Sequence, residues 1–241
     1  MRRFRNTYQA IMFIAAFACV VSAVPSGAQK LTPKEKKQGY VSLFDGKDLS
    51  GWTMMDAQDW SVKNGILITQ GKGGWLRSDN MYKDFELQLD FKMSPSHALD
   101  VNSLTNSGVM LRSLKDGNPS FSGMEIQIID DHGRSKSFQL QWQRCGALYG
   151  AVPPAMDATK PAGEWNHYDI TLVGGHLNVK LNGKVVVNVP NLYDPAFNKT
   201  IAEGAPFTQR VKQGYIGLQS HTNEVDFRNI AIKVIHPATT E

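Results

Sequence analysis

The 241-residue sequence predicts an all-β domain of two antiparallel sheets packed face to face. Three observations carry that prediction. Apolar and polar residues alternate with a period of two in about ten short runs, the pattern of half-buried strands. Beyond the first few dozen residues no stretch keeps the roughly 3.6-residue period of a long helix. Gly, Asn, Asp and Pro punctuate the runs at short intervals, and no internal repeat is visible.

The elements follow in chain order. Residues 1–28 read as a secretory signal peptide. Arg2, Arg3 and Arg5 make a positive start, Ala10 to Val21 is apolar but too short for a bilayer of about 30 Å, and Ser26-Gly27-Ala28 supplies a small-residue cleavage site. A cut after Ala23 is the second choice. A lipid anchor at Cys19 is disfavoured, because Ala16-Phe17-Ala18 is a poor lipobox. The leader places the mature chain in the periplasm or outside the cell, with no membrane insertion after cleavage. Residues 29–39, charged and holding Pro33, read as a flexible lead-in, and residues 40–237 as one sandwich domain.

Within that domain Phe85, Leu87, Leu89 and Phe91 alternate with Glu86, Gln88 and Asp90. Val109 and Leu111 alternate with Gly108, Met110 and Arg112, and Tyr168, Ile170 and Leu172 with Asp169 and Thr171. Leu177, Val179 and Leu181 lead into Asn182-Gly183, the strongest short hairpin signal, and Val185 and Val187 continue beyond it. In the last strand Val225 and Phe227 fall out of phase with Ile230 and Ile232, which predicts a bulge near Arg228-Asn229. Lys115 to Phe121 and Tyr149 to Glu164 read as surface loops.

Charge and cysteine content exclude several classes. Three of the 26 basic residues lie in the leader, so the remainder nearly balances the 22 acidic ones. Nothing argues for nucleic acid or an anionic membrane as partner. Cys145 is the single cysteine after the leader, so the mature monomer has no internal disulfide, and Cys145 reads as a small, partly buried residue rather than a nucleophile. No HExxH, GxSxG or phosphate-cradling glycine loop is present.

The chemistry concentrates on polar strand faces. In Ser122 to His132, Glu125 and Gln127 share one face of a strand and Ile126 and Ile128 the other. Arg112 lies by parity on a second strand, and Gln219 and His221 on a third. If these strands are neighbours, a carboxylate, an imidazole and a guanidinium converge on one patch fit for polyol binding and acid–base work. Trp75 and Tyr149 are candidate aromatic platforms, and Asp131 joins Gln127 and Gln219 among the candidate substrate-binding groups. Asp130-Asp131-His132 reads as a turn rather than a metal site, because adjacent strand residues point to opposite sides.

A resemblance covers nearly the whole mature chain. Leu43-Phe44-Asp45-Gly46-Lys47-Asp48-Leu49-Ser50-Gly51-Trp52, Asn106-Ser107-Gly108, Gly123-Met124-Glu125-Ile126-Gln127-Ile128, Gly146-Ala147-Leu148-Tyr149-Gly150 and Gly217-Leu218-Gln219-Ser220-His221 stand in one order. So do Trp165-Asn166, Leu181-Asn182-Gly183 and Phe227-Arg228-Asn229-Ile230. The chain resembles the 3-keto-disaccharide hydrolase family, also called 3-keto-glucoside 1,2-lyase/3-keto-2-hydroxy-glucal hydratase and formerly domain of unknown function 1080. The resemblance implies a concanavalin A-like, glucanase-type β-sandwich jelly roll. It also implies cleavage of 3-keto-glycosides, with a glycoside 3-oxidoreductase as the functional link that installs the ketone.

That chemistry sets requirements. A ketone at C3 acidifies the hydrogen on C2; a base removes it, the C1 substituent leaves by β-elimination, and water adds to the resulting 3-keto-2-hydroxy-glucal. The site needs a tuned base, a cation or donor at the enolate oxygen, and an acid near the leaving oxygen. Glu125 or His221 is the expected base, Arg112 or one divalent cation the enolate partner, Gln127 and Gln219 hydroxyl ligands, and Trp75 and Tyr149 stacking groups. Two alternatives stay open. One is a non-catalytic carbohydrate-binding module. The other is a retaining glucanase, disfavoured because the run Glu125-Ile126-Gln127-Ile128-Ile129-Asp130 has an amide where such enzymes carry the central carboxylate.

Overall fold

A computed structural model describes residues 30–56, 58–95, 104–132 and 140–235. The expected signal peptide and Cys19 lie outside them. The described strands are β1 (Val41–Ser42), β2 (Trp52–Met55), β3 (Trp60–Lys63), β4 (Ile66–Thr69), β5 (Trp75–Tyr82), β6 (Phe85–Met93) and β7 (Asn106–Ser113). They continue with β8 (Met124–Ile129), β9 (Asn166–Val173), β10 (His176–Leu181), β11 (Lys184–Val189), β12 (Gly214–Gln219) and β13 (Val225–Val234).

They form two open antiparallel sheets. One runs β11-β10-β9-β6-β13-β4-β3, with β1 beside β13 as its eighth strand; the other runs β2-β5-β12-β7-β8. The two-layer all-β expectation holds. The core lies between them. β6 buries Phe85, Leu87, Leu89, Phe91 and Met93 and turns the intervening residues outward, the alternation read from sequence. Leu76, Val109, Leu111, Ile126, Ile128 and Leu218 answer from the smaller sheet, all at or near zero exposure. Phe91 meets Tyr168 at a ring separation of 4.9 Å.

Local chemistry explains the turns. Asn182 and Gly183 adopt φ of 51° and 78°, the pair of left-handed residues a two-residue hairpin of the right twist requires. The register of β13 against β6 shifts between Arg228 and Ala231, with Asn229 at φ 55°, which is the expected bulge.

Two segments differ from expectation. In place of a flexible lead-in, α1 (Pro33–Lys37) begins on a capping box in which Thr32 and Glu35 satisfy each other's backbone N–H groups. Its Glu35 accepts a 2.8 Å hydrogen bond from Gln88 on β6. The Lys115–Phe121 loop closes into α2 (Pro119–Ser122), with Asn118 as N-cap and Pro119 in the first turn.

Candidate active site

The outer face of the smaller sheet carries the site, and strand register builds it. Gly108 pairs with Gln127 and Met110 with Glu125 across β7 and β8. Met110 also pairs with Gly217 across β7 and β12, while Gln219 pairs with Trp75 on β5. Paired residues share a face, so Gln219, Gly108 and Gln127 stand in one row, with Met110 and Glu125 in the next. Ser107 Oγ donates to the Gln219 carbonyl at 2.6 Å and fixes β7 against the end of β12.

These rows floor a cavity of about 230 Å³. Glu125, Gln127, Asn106 and Gln219 rise from the strands; His221 follows the end of β12. Asn118, Ser120 and Phe121 of the α2 region form one wall, and Tyr149 and Glu203 form another. Every residue of β8 is buried, polar ones included, so the face that carries Glu125 and Gln127 is roofed by these walls.

Glu125 is 3% exposed. Burial pushes its carboxyl up to about 7; a hydrogen bond with Ser120 pulls the other way and the nearby Glu203 charge pushes further up. A carboxyl poised near neutrality inside a cavity suits proton transfer. His221 is exposed at the cavity mouth, its Nδ1 2.7 Å from Thr222 Oγ1; partial desolvation by the neighbouring walls lowers its pKa and favours the neutral imidazole. Burial raises the Tyr149 phenol, and the carboxylates of Glu203 and Glu125 add to that rise.

The backbone behind the floor is locked. Gln127 N donates to Ala147 O at 3.0 Å, Gly146 N to Gln127 O at 2.9 Å, and Tyr149 N to Glu125 O at 3.0 Å, so the segment carrying Tyr149 runs as an extra edge beside β8. Trp142 meets the Tyr149 ring edge-on at 5.2 Å. Two amide oxygens, Asn106 Oδ1 and Gln219 Oε1, are buried without a hydrogen-bond partner. Buried acceptors of that kind are costly unless a ligand donor fills them.

Of the site residues expected from sequence, Glu125, Gln127, Gln219, His221 and Tyr149 meet in this cavity. Three do not. Arg112 adopts φ 51°, which breaks the pleat and turns the side chain away from its expected face. It is 1% exposed, pairs with Asp84 at 3.0 Å, and donates to Lys83 O, Gly174 O and Tyr193 OH. It is a structural staple between loops. Trp75 does share the face of Gln219, but its ring fills the space over Gly217 and is 2% exposed, leaving no surface for stacking. Asp131 is 4% exposed and accepts from Cys145 N at 3.1 Å, which orders the turn after β8. Asp130 serves that turn too, accepting from His132 N at 3.1 Å. Among the described residues no group of three or more His, Cys, Asp or Glu is gathered for a metal.

Asn106, Asn118, Ser120, Phe121 and Glu203 line the cavity without having been singled out. Parity with Gly108 could have found Asn106, and the Asn-Pro capping signal could have found the α2 wall. Glu203 sits in a loop with no local signature.

Comparisons agree with this picture. A family model for the 3-keto-alpha-glucoside-1,2-lyase-like domain matches residues 39–233. A 3-keto-disaccharide hydrolase from Bacteroides thetaiotaomicron is 26% identical over 238 residues, spanning 82% of this chain and 79% of that protein. Two crystal structures from Parabacteroides distasonis, both named for glycosyl hydrolases, are similar. One is 26% identical with a TM-score of 0.74 and covers 87% of this chain and 100% of its own. The other is 31% identical with a TM-score of 0.67 and covers 81% and 99%. The chain belongs to the 3-keto-alpha-glucoside-1,2-lyase-like domain family, carbohydrate-active enzymes related to the 3-keto-disaccharide hydrolases.

Proposed function

We propose that the chain cleaves 3-keto-glycosides by removing the C2 proton, expelling the C1 substituent by β-elimination, and hydrating the 3-keto-2-hydroxy-glucal, on a concanavalin A-like sandwich. The observation that carries this reading is the Glu125 carboxyl, buried in a sugar-sized cavity with its pKa at about 7. As a carboxylate it abstracts the C2 proton. Once protonated, Glu125 passes that proton to the leaving oxygen, and the neutral His221 at the mouth takes a proton from the incoming water. The unfilled oxygens of Asn106 and Gln219 accept from ring hydroxyls, and Tyr149 lies against the sugar.

The same reading makes the protein periplasmic or secreted through its leader, and dependent on an oxidoreductase that forms the ketone. Incubation with a 3-keto-glucoside, with and without chelator, followed by mass spectrometry, tests it. The glucal and the free 3-keto sugar are expected, and their yield should collapse in Glu125→Gln and fall in His221→Asn. Sugar binding without any product from keto-glycosides would leave a binding module as the better description.

A further inference from the structure

We propose that Gln127 is a catalytic residue: its side-chain N–H₂ group holds the oxygen on C3 as that oxygen becomes an enolate. The proposal rests on the keto-glycoside reading above and fills the role that Arg112 cannot take. Gln127 is 3% exposed and lines the cavity two residues from Glu125 on the same face of β8. Its Oε1 accepts from the Ile128 backbone N–H at 3.0 Å. A backbone N–H can only donate, so this contact fixes which end of the amide is which. The end left for the cavity is the pair of N–H donors.

The strand beneath that side chain is held in place, and the Ile128 contact tethers the amide to it. The Gln127 main-chain carbonyl accepts from Tyr168 OH at 2.6 Å and from Gly146 N at 2.9 Å, and its main-chain N–H donates to Ala147 O. Donors fixed before reaction stabilise developing charge without reorganising, which is where such groups gain most of their effect. The spacing also fits. Alternate residues on a strand stand about 6.6 Å apart. A base some 3 Å from the hydrogen on C2 and a donor about 3 Å from the oxygen on C3 need a separation of that order. Gln219 is opposite in polarity, its buried oxygen lacking a donor, so the two glutamines divide the labour: Gln127 donates to the carbonyl and Gln219 accepts from a hydroxyl.

The step balances. The Glu125 carboxylate takes the proton from C2, the C–H pair becomes the C2=C3 bond, and the carbonyl π pair moves onto O3, where Gln127 donates to it. The pair then returns to re-form C3=O, the C1=C2 bond forms, the C1–O bond breaks, and the leaving oxygen takes a proton from the acid in the cavity.

Gln127→Glu tests this, because it keeps an acceptor for Ile128 N–H while replacing the donors with oxygen. At its own pH optimum, kcat on a 3-keto-glucoside is expected to fall about 10²- to 10³-fold with KM within a few-fold of the parent. Exchange of the C2 hydrogen of free 3-keto-glucose in D₂O should fall in parallel. A raised KM with kcat and exchange intact would overturn the proposal and leave Gln127 a hydroxyl ligand. If this variant does not fold, the Glu125→Gln protein serves instead. Its Gln127 side-chain amide protons should shift downfield by NMR with a 3-keto-glucoside and not with the unoxidised glucoside; equal spectra would overturn the proposal. If the parent protein neither cleaves keto-glycosides nor exchanges C2, the functional reading itself fails, an outcome distinct from a Gln127 variant that works normally.

Discussion

The Glu125 carboxyl lies over Gly108: a Cβ on that glycine would stand 2.8 Å from Glu125 Cγ and Cδ and collide with Oε1. The missing side chain on β7 is the seat of the Glu125 carboxyl on β8. Gly108 has an ordinary strand backbone, so Gly108→Ala should fold. It should displace the carboxyl and lower kcat/KM by about 10²-fold, the usual scale for misplacing a reacting group by an ångström. Circular dichroism with steady-state kinetics on a 3-keto-glucoside checks both halves; undiminished activity would detach Glu125 from the chemistry.

Glu125 should trade stability for activity. Its folded pKa of about 7 exceeds the ordinary 4.5, so its contribution to stability is fully present below pH 4.5 and is lost as pH rises through 7. Glu125→Gln should therefore raise stability above pH 7, on the order of 2–4 kcal/mol, with no gain near pH 4. Denaturant melts at the two pH values read this directly. In the parent, kcat/KM should climb through pH 7 as the carboxyl ionises.

Arg112 should behave in the opposite way. Its guanidinium is buried against Asp84 and three further acceptors. Arg112→Met strands that carboxylate, a change that typically costs about 3–5 kcal/mol. The expected result is a much lower Tm, with kcat/KM per folded molecule within a few-fold of the parent. Thermal melts paired with active-fraction assays separate the two; a selective loss of kcat at unchanged Tm would return Arg112 to the reaction.

A second polar cluster, on the outer face of the larger sheet, should set the alkaline limit of stability. His167 Nδ1 meets Asp90 at 2.6 Å and Nε2 meets Asp169 at 3.3 Å. Burial lowers the imidazole pKa, but the hydrogen bonds and charges of Asp169 and Asp90 outweigh it and lift it to about 9. A raised folded pKa stabilises fully below the unfolded value near 6.5 and is lost as pH climbs through 9. His167→Gln should thus lower Tm at pH 6 and make little difference at pH 10, with the side chain's partial exposure keeping the effect modest.

Much of this protein was legible in its sequence, for definite reasons. Alternation along Phe85–Met93, the Asn182-Gly183 turn and the phase break at Arg228-Asn229 depend on residues within a few positions of each other, where backbone sterics and pleat parity decide. Glu125 and Gln127 were found because one strand displays both. The short capping box at Thr32–Glu35 is equally local, but a charged five-residue helix has no apolar stripe to announce it.

Sequence alone determined two antiparallel layers, an aliphatic and aromatic core, and a polar strand with a glutamate and a glutamine on one face. Tertiary structure alone decided that His221, Tyr149 and Glu203 close over that strand, and that Arg112, Trp75 and Asp131 stay out of the cavity. The reason is that exposure and pKa belong to the space between segments. A left-handed φ sends Arg112 elsewhere, a glycine on the next strand draws the Trp75 ring down, and burial among distant loops gives Glu125 its affinity for a proton.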